Sequence, residues 1–251
     1  MQIAMGFATS YERCSLGFNV VTQFYNETAF LTAAHCTYNT APWGGQVNGT
    51  VYQNVVNTSY QVGFVQLNPA WQWCDSLYCT QADAMMVGYN NPSLAVPVVA
   101  TTSFLGANNY GGGINQTSAW RQVTSKVPYQ WPGMSLEKLG RTTGWTVGTL
   151  QYTCVERLIN DAFGPYVVAC TDEMTGSSIG TGDSGGPVIT PGSNDVYAVG
   201  IVVGGSPLSG PWGPDGSTYC DVYHLSGAST CTLVFSPIYA IENHLGRYFS
   251  F

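Results

Sequence analysis

Charge is what this chain has least of. Lysine and arginine together number 7, aspartate and glutamate 14, so 8% of the 251 residues are charged and the net charge is -7. A phosphate backbone would be repelled by that balance, which excludes general nucleic-acid binding. No apolar run approaches the ~18 residues of a bilayer-spanning helix, so no membrane partner is expected. The opening MQIAMGFATSYERC lacks both a basic start and a long apolar stretch, and does not read as a secretory leader. If the protein is exported, its leader lies outside this numbering. Histidine is scarce, at 3 residues. A zinc site needs clustered Cys and His pairs at short spacing, and no two-by-two arrangement of them appears, so no metal is expected.

What is abundant points to β structure. Gly, Asn, Thr, Ser and aromatic residues dominate, and short apolar runs alternate with turn residues. Such runs include SLGFNVVTQ, TAFLTAA, ADAMMVGY, VPVVATT, TSKVPY, TGWTVGTLQYTCVERLI, YVVACT, PVIT, VYAVGIVVGG and CTLVFS. Their spacing predicts an all-β sandwich or barrel. Only the end, SPIYAIENHLG, reads as a helix: Ser236 can cap it, Pro237 suits its first turn, and Ile238, Ile241 and Leu245 share a face. Gly246 fits its stop. The glycine-rich FLGANNYGGGINQTSAW, near residues 104–120, reads as a crossover between two β units, which places residues 1–110 in one and 111–251 in the other.

The 8 cysteines, at positions 14, 36, 74, 79, 154, 170, 220 and 231, are best explained as four disulfides, hence an oxidising compartment. The sequons at Asn26, Asn48, Asn57 and Asn115 agree with secretion and offer glycosylation sites.

The stretch SIGTGDSGGPV, Ser178 to Val188, surrounds one serine with glycines and a proline. A flexible linker could have that composition, but PVIT runs straight into a strand and an acid precedes the serine. Activating a serine needs a histidine in hydrogen-bond reach, itself oriented by a carboxylate. His244 lies on the terminal helix and His224 in a loop between cysteines. His35, in FLTAAHCT, sits where a strand ends and a turn of small residues begins.

With TAAHC and GDSGGP unbroken and in this order, the sequence resembles the chymotrypsin-like serine peptidases, a family of two six-stranded antiparallel β-barrels with the active site between them. RCSLGFNV and GRTTGWTVGTL resemble its secreted bacterial branch of streptogrisins and α-lytic proteases. The resemblance implies a serine endopeptidase, needing no organic cofactor, in which Ser184 is the nucleophile, His35 the general base and Asp83, in CTQADAMMVGY, the carboxylate that orients it. Asp75 is close by but falls inside CDSLYC. The N–H groups of Gly182 and Ser184 would form the oxyanion hole, and a side chain at Gly182 would obstruct it.

The same resemblance implies a bond from Cys14 to Cys36, with 74–79, 154–170 and 220–231 as the remaining pairs. For the last two, 170–220 with 154–231 is the alternative. Ser178, Ile179, Val203, Gly205 and Thr232 would line a neutral primary pocket that accepts apolar or aromatic side chains. Val202 occupies one place where a glutamate-selecting histidine would be expected, while His224 could still border the pocket. Three positions depart from the family. Val203 stands where a serine normally supports the catalytic aspartate, and Glu137 and Val147 replace a cysteine pair. Asp183, buried beneath the oxyanion loop, needs a cationic partner. The resemblance offers Lys138, or failing that Arg141, rather than a freed N-terminus, since Met1 and QIAM do not match the family's inserted start.

Polypeptide substrates and protein inhibitors of proteases are the partners expected, and a monomer the expected state. A trypsin-like or glutamyl-specific peptidase of the same fold, and a non-catalytic homologue acting as a binding protein, are the alternatives.

Overall fold

The structure is a computed structural model and describes residues 2–7, 10–37, 49–53, 61–102, 116–161, 164–206, 219–220 and 231–251. Met1, Asn48, Asn57, Asn115, His224 and the proposed division at residue 110 lie outside them. The first half contributes β1 (Gln2–Phe7), β2 (Ser10–Ser15), β3 (Asn19–Thr22), β4 (Thr28–Thr32), β5 (Thr50–Gln53) and β6 (Gln61–Leu67). It continues with β7 (Gln72–Cys74), β8 (Leu77–Thr80), β9 (Met85–Tyr89) and β10 (Val98–Thr102). The second half contributes β11 (Gln116–Lys126), β12 (Ser135–Gly140), β13 (Gly144–Asp161), β14 (Gly164–Thr175), β15 (Ile179–Gly180) and β16 (Pro187–Ile189). β17 (Asp195–Ser206), β18 (Tyr219–Cys220), β19 (Thr232–Pro237), the helix α1 (Ile238–Leu245) and β20 (Phe249–Ser250) complete it.

Six strands of the second half close a barrel. β12 pairs β13, β13 pairs β14, β14 pairs β19, β19 pairs β17, β17 pairs β16, and β16 returns to β12. Closure leaves these strands no free edge. Seven strands of the first half and the C-terminal β20 form an eight-stranded path in the order β2-β1-β5-β6-β9-β4-β3-β20, while β7, β8 and β10 join the other sheet. Two junctions are parallel rather than antiparallel: β11 with β17, and β14 with β8. The second carries the β7–β8 hairpin, from the first half of the chain, onto the second sheet.

The strands form for the expected reason. Along β14 the side chains of Tyr166, Val168 and Cys170 point inward while Pro165 and Ala169 are exposed, a period of two. Two expectations from sequence need correcting. Gln116 to Trp120 is strand, part of β11, and not crossover. Ser236 does not cap α1: the cap position is Pro237, whose ring has no hydrogen-bonding group, and Gly246 closes the helix in the left-handed region at φ 61°. The Ser236 hydroxyl instead accepts the Asp83 N–H at 3.0 Å.

The disulfides are Cys14–Cys36, Cys74–Cys79, Cys154–Cys170 and Cys220–Cys231, and none of the cysteines is free. The alternative pairing of the last four does not occur.

Candidate active site

Register brings the first two site residues together. β4 and β9 run antiparallel with Thr32 opposite Met85, so the turn after β4 lies beside the bend before β9. His35 sits in that turn, Ala34–Thr37, and Asp83 in that bend. The His35 N–H donates to Asp83 Oδ1 at 3.0 Å, and His35 Nδ1 lies 2.5 Å from Asp83 Oδ2. Asp83 is sealed from solvent, whereas His35 is partly open. Burial pushes the Asp83 carboxyl up, but the adjacent His35 and hydrogen bonds from His35 and Tyr166 outweigh it. The net position is below the ordinary carboxylate value.

Ser184 lies between β15 and β16, in a loop held from several sides. Asp183 N–H donates to Gly180 O at 2.9 Å and Gly185 N–H to Val202 O at 2.7 Å. Gly182 has φ 97°, a backbone conformation that favours glycine, and a Cβ there would meet the tip of the Arg141 side chain at 2.5 Å. Ser184 Oγ donates to Val203 O at 3.4 Å.

The first half of the chain reaches this loop through Ser15. Its N–H donates to Ser184 O at 2.8 Å, and its hydroxyl donates to Gly182 O at 2.9 Å while accepting the Arg141 N–H at 2.9 Å. The approach is so close that a Cβ at Gly185 would lie 2.1 Å from Thr32 Oγ1. Cys14, the preceding residue, is bonded to Cys36, the residue after His35. One short segment therefore ties the histidine turn to the serine loop.

Asp183 is buried and fully engaged. Oδ2 accepts Lys138 Nζ at 3.0 Å and Gly180 N–H at 3.0 Å, and Oδ1 accepts the N–H groups of Thr142 at 2.8 Å and Thr143 at 3.1 Å. The Thr143 hydroxyl also donates to Oδ2. Lys138 is equally buried, and desolvation lowers its pKa against the opposing pull of Asp183. Arg141 is not the ion-pair partner of Asp183.

Of the residues named for the pocket, Ile179 lies against Gly205, whereas Val203 belongs to a different apolar cluster. Ser178 and Ile179 are buried, with Ser178 O accepting from Thr143 Oγ1 at 3.2 Å. Ile179 pairs Cys220 across β15–β18 and packs on Gly205, while Thr232 lies opposite Ser206 at the end of β17. Val203 is buried, in the apolar cluster that also holds Tyr166 and Trp71. Asn26, the sequon among the described residues, is exposed in the turn after β3.

Sequence reasoning missed Tyr166 and Ser236, which both contact Asp83. Tyr166 lay in a run read simply as strand. The available signal was indirect: valine at 203 removes a supporting hydroxyl, so another was to be sought.

Comparison with known proteins gives a consistent picture. The family model described as Trypsin matches residues 12–224. No curated protein matches. Among solved structures, Thermobifida fusca protease A is 23% identical, with a TM-score of 0.61 over 99% of this chain and 95% of that one. A Nocardiopsis protease is 18% identical, with a TM-score of 0.59 over 100% and 97%. A glutamic acid specific serine protease, described as using a histidine triad in substrate binding, is 21% identical, with a TM-score of 0.57 over 100% and 97%.

Proposed function

The chain belongs to the trypsin family and is a serine endopeptidase, and from that premise we propose that His35, Asp83 and Ser184 are its catalytic triad. The observation that carries this reading is the buried Asp83 carboxylate held against both the backbone N–H and Nδ1 of His35. That contact places the proton on Nδ1 and leaves Nε2 as the base. His35 takes the proton of Ser184 Oγ as the oxygen attacks the scissile carbonyl carbon. The hydroxyl leaves Val203 O to do so; such contacts tighten or rearrange once substrate is bound. The carbonyl oxygen becomes an oxyanion between the N–H groups of Gly182 and Ser184, neither of which carries a hydrogen bond among the described residues. Collapse expels the amine with the proton from His35, and water then hydrolyses the acyl-enzyme by the same route.

For specificity, the neutral Ser178 and the apolar Ile179 and Val203 support apolar or aromatic residues before the scissile bond. Trypsin-like selection would need a carboxylate in that pocket. A pocket built on three histidines, as described for the glutamic acid specific relative, would use every histidine here, His35 included. The four disulfides and the exposed Asn26 support a secreted, glycosylated enzyme, and a monomer belongs to the same proposal. Its partners are polypeptides, protein inhibitors among them. The division of the chain at about residue 110 belongs to the same reading.

Fluorophosphonate labelling of the folded protein tests the triad. Modification should map to Ser184, and Ser184→Ala should abolish turnover while changing stability by less than about 1 kcal/mol. An unlabelled folded protein would instead be a binding homologue. Retained hydrolysis by Ser184→Ala would move the nucleophile elsewhere. Cleavage of a peptide library should show no preference for Lys, Arg or Glu before the scissile bond.

A further inference from the structure

The Asp83 carboxylate has a neighbour that neither the family match nor the triad accounts for. Tyr166 lies on β14, far along the chain, and its hydroxyl donates to Asp83 Oδ2 at 3.1 Å. The same hydroxyl is 3.5 Å from His35 Nδ1. Its ring is fully buried and packs on Trp71 with centroids 4.7 Å apart. The long β13–β14 arm brings it there by its parallel pairing with β8, where Tyr166 stands opposite Tyr78. The Val203 side chain, in the same apolar cluster, has no hydroxyl to give the carboxylate. A buried carboxylate must be hydrogen-bonded to stay ionised, and Oδ2 is the oxygen that faces the imidazole.

We propose that Tyr166 is the positioning residue of this active site: its hydroxyl fixes Asp83 Oδ2 against His35 Nδ1, a task done from β14 rather than from position 203 on β17. This rests on the triad reading. The hydroxyl never touches substrate, so it acts on the proton affinity and orientation of His35. Donation to Oδ2 withdraws charge from the oxygen that stabilises the imidazolium, and so lowers the pH at which His35 becomes a base.

Among the described residues, the titratable groups around this contact are few. His35 faces it from the turn after β4, and Asp83 from the bend before β9. From α1, His244 contacts Thr80 Oγ1 at 3.4 Å and feels the charge of Asp83. Burial holds His244 below the ordinary imidazole value, and its contribution is common to every variant compared here.

The test is the pH dependence of kcat/KM for wild type, Tyr166→Phe, and protein carrying 3-fluorotyrosine at 166. Phenylalanine keeps the ring on Trp71 and removes the donor. It should lower kcat by about tenfold, the low end for losing a hydrogen-bonded outer-shell partner. KM should hold, and the acid limb should move to higher pH. The fluorinated ring is a stronger donor, so it should move the limb to lower pH while keeping kcat within about twofold; if the phenylalanine variant does not accumulate, this arm stands alone. An acid limb that neither variant moves, or that both move in one direction, overturns the proposal, because a packing role would give no opposed shifts. Fluorophosphonate labelling of wild type separates the two levels. Labelled Ser184 with an unmoved limb removes the role of Tyr166 alone, and no labelling removes the triad and this inference together.

Discussion

Lys138 has its ammonium inside the protein, and that position is tolerable only because Asp183 is there. Both groups are sealed from water, and Asp183 draws further donors from Thr142, Thr143 and Gly180. Removing one member of such a pair strands the other, at a cost of about 3–5 kcal/mol. Lys138→Met should therefore destabilise the protein by that order, measured by denaturant unfolding, and should cripple turnover, because Asp183 shares the loop with Gly182 and Ser184. Acetylating the N-terminus should leave turnover intact. If Lys138→Met were as stable and active as wild type, the ion pair would have no structural role. This partnership was legible because the lysine and the acid stand at fixed offsets from recognisable motifs. Tyr166 was not legible, since its contact with Asp83 spans 83 residues and depends on a parallel strand pairing with no sequence signature. Ser236 was misread for a related reason: a serine before a helix usually caps it, but here a proline cap position and a buried Asp83 N–H compete for its role, and the N–H wins.

Most strands announced themselves as short apolar runs between turn residues, and α1 through its face and its terminal glycine. The length of the β13–β14 arm and its passage across to β8 did not, because pairing partners distant in sequence are set by the fold. That arm carries a titratable element. Asp172, on β14, accepts the Cys154 N–H at 2.8 Å through Oδ1, and its other oxygen is buried without a hydrogen bond. Burial raises its pKa to about 6, against the pull of that backbone donor. The nearby Tyr239 hydroxyl is pushed up to about 12, by burial and then by the Asp172 charge. The sign follows from linkage: between about pH 4 and 6 the folded protein binds more protons at Asp172 than the unfolded chain does. Stability from this group is therefore present below pH 4 and lost as pH rises through 6. A gap of about two units corresponds to at most about 3 kcal/mol. Asp172→Asn keeps the acceptor for Cys154 and removes the charge, so its stability relative to wild type should increase from pH 4 to pH 7. A pH-independent difference between the two proteins would mean that Asp172 titrates as an ordinary carboxylate.

Two β units of this size commonly unfold as two, yet the contacts here bind them into one. A single apolar cluster joins Phe18, Leu31 and Met86 of the first half to Leu139, Ile189, Ile201 and Ile241 of the second. The β7–β8 hairpin extends the second sheet, and β20 returns to β3 with Phe249 opposite Thr22. Ser15 and Ser184 are joined at the seam. Neither half can lose its strands without opening the core of the other, so thermal unfolding should be one cooperative transition despite the length of the chain. At about 0.7 kcal/mol per residue, unfolding all 251 residues together near 60 °C implies an enthalpy of roughly 175 kcal/mol. Scanning calorimetry on Ser184→Ala, which removes self-digestion, should give a van't Hoff enthalpy close to the calorimetric one. Independent halves would give two peaks, or a van't Hoff value near half the total. Phe249→Ala probes the coupling directly: it cuts a fully buried ring from the strand that returns to the first sheet, a loss of about 3–5 kcal/mol. In a coupled molecule that loss lowers the midpoint of the single transition. A variant that instead split the transition in two would show that β20, and not the shared core, holds the halves together.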